Sequence, residues 1–164
     1  MVPRPKGEHI IDTKWIFRNK TDEKGNVIHN KVRLVAQGYS QMEGVDYDET
    51  FAPVTRMESI RILLALACQL KFKLYQMDVK TDFLNGPLKE DVYVTQPKGF
   101  IDPHFPDHVL YLRKALYELK QAPRAWYDWL IQYLVSLRFT RGKADQTLFI
   151  KKRRWRADSC SSLC

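Results

Sequence analysis

The 164-residue sequence predicts an α+β chain. Three observations point there. Strand-like runs at residues 15–20 and 27–36 flank a cluster of turn residues. Two longer segments, 58–70 and 123–137, carry apolar residues at helical spacing. Short apolar runs at 72–78, 91–96, 109–112 and 147–150 read as further strands between and after them. A chain of this length is one domain or part of one, and no internal repeat is present.

Residues 1–12 are Pro-rich and polar and read as a lead-in without period. Trp15, Ile16 and Phe17 begin the first strand. Asp22, Glu23, Lys24, Gly25 and Asn26 form the turn, with Gly and Asn where positive φ is tolerated. The second strand alternates, putting Lys31 and Arg33 on one face and Val32 and Leu34 on the other. This is a hairpin with a basic face, either a solvated surface or a pair of cations aimed at phosphates. Residues 37–54 are irregular, and their acidic residues Glu43, Asp46, Asp48 and Glu49 lack calcium-loop spacing and read as surface. A helix opens at Thr55 or Glu58 and runs to Leu70, with Ile62, Leu63, Leu66 and Leu70 as its buried stripe. The run from Phe72 ends as a strand at Asp78, before an Asn85-Gly86 turn signal. Taken alone, Asp78 reads as a solvated or capping residue. Pro123 suits the first turn of the second helix, whose apolar face is Trp126, Leu130, Tyr133, Leu134 and Leu137. Gln121 and Arg124 sit at or before its N-terminus, where backbone N–H groups favour anions.

Net charge is +8, which suggests a polyanionic partner, although half of the excess lies in the last 14 residues. No apolar run reaches membrane-spanning length and the N-terminus has no signal-peptide core, so neither a membrane nor export is expected, and an intracellular location is. Cys68, Cys160 and Cys164 have neither zinc-ligand nor disulfide-framework spacing. His9, His29, His104 and His108 are scattered and read as surface residues. After Lys152 the sequence becomes rich in Ser, Cys and Arg and loses any period. Residues 153–164 are expected to be a divergent tail without regular structure, set apart from residues 1–152.

Several blocks in fixed order carry a resemblance. They are Lys14-Trp15-Ile16-Phe17-Arg18, Lys31-Val32-Arg33-Leu34-Val35-Ala36-Gln37-Gly38, Phe51-Ala52-Pro53-Val54, Met77-Asp78-Val79-Lys80, Phe83-Leu84-Asn85-Gly86 and Leu119-Lys120-Gln121-Ala122-Pro123-Arg124-Ala125-Trp126-Tyr127. Over about residues 2–152 the sequence resembles the reverse transcriptase of Ty1/copia-type retrotransposon Pol polyproteins. The resemblance implies fingers and a partial palm of a right-hand polynucleotide polymerase, with an antiparallel palm sheet. It implies RNA-directed DNA synthesis, in which a primer 3′-hydroxyl on an RNA or DNA template attacks an incoming dNTP and two Mg²⁺ ions stabilise the attacking and leaving oxygens. By the same resemblance Asp78 is a catalytic carboxylate and metal ligand, and the Val79 carbonyl is a backbone ligand. Phe83 is the aromatic under the sugar, and Gln121 contacts the nucleotide. Lys31 or Arg33 holds the triphosphate, Arg33 being favoured for its guanidinium fork, with Arg18 a weaker candidate. Arg124 is assigned to nucleic acid.

The sequence also departs from that pattern. The family's other two carboxylates lie in a Tyr-x-Asp-Asp turn beyond the match to Ile150. No such motif is present, and Asp158 stands without a neighbouring Asp. Loss of one group acting in concert commonly lowers the rate on the order of 10³-fold, so the chain is expected to be inactive alone. Asp82 stands where the family has a small residue, and Glu118 where it has Gly, a position whose backbone other residues resist. Without the Tyr-x-Asp-Asp hairpin the strand ending at Asp78 loses ladder partners, and exposed apolar faces are expected. The sequence reads as a truncated, frameshifted relic. The other readings are a non-catalytic, basic nucleic-acid-binding remnant and a product without molecular function.

Overall fold

The computed structural model describes residues 1–152 and the backbone of 157–161. The chain is α+β and divides into two compact units. The first comprises Met1–Phe51 and Asp82–Trp126, the second Ala52–Thr81 and Tyr127–Cys164.

The first unit holds two sheets. β1 (Ile10–Ile11), β4 (Pro87–Val94) and β5 (Leu110–Lys114) form one, in the order β1-β4-β5. It is mixed rather than wholly antiparallel, because β1 runs parallel to β4 while β5 runs antiparallel to it. The expected period-free lead-in is thus built into the sheet: Ile11 is fully buried, and Val2 bridges Val109. A two-residue strand is too short to show a period. Ile11, Ala36, Val92, Val94, Ala115, Leu119 and Ala122 make the core, with Phe83, Leu88 and Leu116 packed against it. Each large aliphatic group buried this way is worth about 1.5–3 kcal/mol relative to exposure.

The second sheet is the expected hairpin, β2 (Thr13–Thr21) and β3 (Val27–Ala36). Asp22 closes its turn by accepting bonds from the Lys24 and Asn26 amides, while Gly25 takes φ +85°. Those bonds, the Asn26 side chain's first, hold the Asp22 carboxyl below its ordinary pKa. At the base of the hairpin, Trp15 lies against Phe100 and donates its indole N–H to the Lys98 carbonyl.

In the second unit, α1 (Met57–Leu70) ends in a left-handed Lys71. Its stripe was expected to be buried. Instead no residue of α1 is buried, and Ile62, Leu66 and Leu70 are exposed. The strand expected over 72–78 does not form either. Those residues have no ladder partner among the described residues and leave Tyr75 and Met77 about four-fifths exposed, at 80% and 81%. The physical reason is shared: an apolar strand or helix face is buried only when another layer covers it. α2 (Ala122–Ser136) begins in the first unit and ends in the second. Ala122, Trp126, Tyr127 and Leu134 are its buried residues, whereas Tyr133 and Leu137, expected in the apolar face, are exposed. The remaining sheet, β6-β7-β8, contains β6 (Thr140–Arg141), β7 (Leu148–Lys152) and β8 (Ala157–Ser161). Where the sequence shows no period, Ala157–Ser161 pairs antiparallel with β7, whose open edge is a template for any backbone. Residues 153–156 and 162–164 of the expected tail lie outside the described residues.

Candidate nucleotide-binding site

Antiparallel pairing puts opposed residues on the same face of the hairpin. Arg18 faces Lys31, Ile16 faces Arg33, Lys20 faces His29 and Lys14 faces Val35, so all five Lys and Arg residues of the two strands share one face. The other face carries Trp15, Phe17, Val32 and Leu34, with Phe17 70% exposed. Neither strand contains an Asp or Glu. Among the described residues no carboxylate pairs with Arg18, Lys20, Lys31 or Arg33, whereas Lys14 pairs with Glu118 at 3.3 Å.

Two of the expected positions meet around a residue that sequence reasoning passed over. The Arg33 guanidinium lies over the Tyr117 ring, 5.6 Å from its centroid, and Phe83 meets the same ring edge-on at 6.1 Å. Tyr117 also accepts the Ala36 amide through its carbonyl at 3.0 Å, tying the end of β3 to the turn that enters α2. That turn needs an unusual backbone. Glu118 has φ +67°, the left-handed region where Gly is at ease. The fit is close: a Cβ on Gly38 would stand 1.9 Å from the Glu118 carbonyl oxygen, and one on Gly86 would stand 2.5 Å from the Trp126 nitrogen.

Gln121 is 2% exposed. Its amide nitrogen donates to the Asp46 carbonyl at 3.0 Å, and its oxygen accepts the Gln41 amide at 3.0 Å. Asp46, expected at the surface, is buried. Its carboxylate accepts the Met42 amide and pairs with His9 Nδ1, both at 2.7 Å. The pairing offsets the cost of burying a charge. His9 is thus a partner rather than a scattered surface residue, and nothing in the sequence links two residues 37 positions apart. Lys120 completes the arrangement by donating to the Gln41 carbonyl and the Tyr47 hydroxyl. Arg124 donates to the Phe51 carbonyl and pairs with Glu49, each at 3.2 Å.

Asp78 and Val79 belong to the second unit, where both are exposed on the irregular stretch after α1. Thr81 closes that stretch at φ +55°, a strained conformation for a β-branched residue. Among the described residues no three His, Cys, Asp or Glu side chains converge to hold a metal. Mg²⁺ requires several hard oxygen ligands. One carboxylate and one carbonyl do not fit a two-metal centre, so no catalytic step is derived through metal.

The model of the reverse transcriptase (RNA-dependent DNA polymerase) family matches residues 1–155. The chain belongs to this family. The reverse transcriptase match accords with relatives among retrotransposon polyproteins. The retrovirus-related Pol polyproteins from transposons RE1 and RE2 of Arabidopsis thaliana are 47% and 46% identical over 151 residues, 92% of this chain and 10% of each polyprotein. That from transposon TNT 1-94 of Nicotiana tabacum is 40% identical over 152 residues, 93% of this chain and 11% of the polyprotein. The chain therefore spans about a tenth of the length of these relatives. No solved structure matches it. No described helix is long and apolar enough to cross a membrane.

Proposed function

We propose that this reverse transcriptase segment is the fingers and partial palm of a right-hand polymerase, able to bind polyphosphate and template-primer and unable to polymerise by itself. The observation that carries the binding half is the acid-free ribbon, with Arg18, Lys31 and Arg33 on one face and Arg33 set over Tyr117 beside Phe83. Arg33 is the triphosphate anchor and Lys31 its neighbour. Phe83 supports the sugar, and Arg124 lies towards nucleic acid. The donor set supports the other half. Asp78 stands without the two carboxylates that the family chemistry requires, and residues 153–164 bring only Asp158.

The test is primer extension by the 164-residue chain with Mg²⁺ and dNTPs, beside a salt titration of oligonucleotide binding. No incorporation above an Asp78→Asn control is expected, together with binding that falls steeply with salt. Incorporation that Asp78→Asn abolishes overturns the claim of inactivity. Affinity indifferent to salt overturns the claim of phosphate binding.

A further inference from the structure

Gln121 is the one expected nucleotide contact that is buried. Its nitrogen donates to Asp46 O and its oxygen accepts from Gln41, so both ends of the amide have protein partners at 3.0 Å. The partners lie on the segment 38–47, which crosses the turn 117–121 as a strap. Gln41 Oε1 accepts the Lys120 amide at 2.9 Å, and Lys120 Nζ donates to Gln41 O and to the Tyr47 hydroxyl. Within the strap, Asp46 folds the chain on itself: its carboxylate takes the Met42 amide and His9, and its own amide donates to Met42 O. At the other end of the turn, Tyr117 bonds Ala36 and underlies Arg33.

We infer that Gln121 acts from inside the protein, as a positioning residue: it pins the strap 38–47 to the turn 117–121 and so sets Tyr117, and through Tyr117 the guanidinium of Arg33. Gln41, Asp46 and His9 belong to the same device. Exposing the Gln121 amide to a nucleotide would break two buried hydrogen bonds and leave Asp46 O and Gln41 Nε2 without partners, a costly exchange for one contact. The inference rests on the reading of Arg33 as a polyphosphate anchor, and it changes which part of a nucleotide Gln121 governs. A direct contact would sense sugar or base. A positioning residue acting through Arg33 senses phosphate alone.

The experiment compares inorganic tripolyphosphate with a deoxynucleoside triphosphate as ligands of the full chain, for wild type, Gln121→Met, Gln41→Leu and each of these combined with Arg33→Ala. Hydrogen exchange at the Met42, Gly44 and Asp46 amides is followed in parallel. The expected result is that Gln121→Met and Gln41→Leu weaken both ligands by the same factor, about tenfold, as Arg33 loses its set position. Both effects vanish in the Arg33→Ala background. Weakened binding of the nucleotide with tripolyphosphate binding unchanged overturns the inference and restores a direct contact. If wild type binds neither ligand, the polyphosphate reading itself fails and the exchange arm decides the pin. Faster exchange at the three amides in both variants sustains it, and unchanged exchange overturns it.

Discussion

Arg18 and Lys31 stand directly opposite one another across the β2–β3 ribbon, two cations in register on strands that hold no carboxylate. Like charges so placed repel, and the pair adds nothing to the hairpin's own stability. The arrangement becomes favourable when a polyanion lies across both.

Lys31→Glu tests this by separating stability from binding. The new cross-strand pair with Arg18 should raise stability by about 0.5 kcal/mol at low salt, read as a higher thermal midpoint, with the gain lost at high salt. Oligonucleotide affinity should fall at the same time. Lys31→Ala should lower the slope of log affinity against log salt by about one.

Glu118→Gly should stabilise the chain. A non-Gly residue held at positive φ costs about 1–2 kcal/mol. Against that stands the half-exposed Lys14–Glu118 pair, worth under about 1 kcal/mol, and the extra freedom that Gly has when unfolded. The expected net gain is about 0.5–1 kcal/mol. A chemical-denaturation midpoint lower than wild type would show that the ion pair outweighs the backbone strain.

Gly38→Ala should be among the most damaging small substitutions in the molecule. Its Cβ would stand 1.9 Å from a backbone oxygen, which cannot swing aside like a side chain. The strap or the turn must then shift, at about 3 kcal/mol or more. Gly25→Ala is the control: it has positive φ but nothing within 4 Å, so only backbone strain of about 1 kcal/mol applies.

Asp145 gives the second unit an acid limit. Its carboxylate accepts the Ser59 hydroxyl, then the Thr147 hydroxyl and amide, and these bonds lower its pKa. A carboxylate depressed on folding stabilises the folded state above its unfolded pKa, about 3.9, and that contribution is lost as pH falls through the folded value. Stability measured from pH 7 downward should thus decline below about pH 4. Asp145→Asn should be less stable at neutral pH and flatter across the acid range.

The hairpin was legible because alternation over ten residues is a strong signal: β3 begins at Val27 and ends at Ala36, as the pattern indicates. The entry to α2 was legible from Pro123, and the positive φ at Glu118 accords with the expectation of a position whose backbone residues other than Gly resist. Other parts were hidden for physical reasons. β1 is two residues long and pairs with a strand some eighty positions away. The strap depends on side-chain bonds among His9, Gln41, Asp46 and Gln121, none of which leaves a period. Periodicity marked the apolar face of α1 correctly as apolar, but a pattern of apolar residues states what a helix can bury and not whether a covering layer exists.

That uncovered surface bears on the fate of the polypeptide in a cell. Ile62, Leu66 and Leu70 on α1, followed by Phe72, Leu74, Tyr75, Met77 and Val79 on a stretch without ladder bonds among the described residues, are the kind of surface that chaperones hold and proteases enter. For a polypeptide of these 164 residues alone, lifetime would depend on how quickly quality control finds this stretch. Its abundance would report on the cell's proteolytic capacity as much as on transcription of the locus.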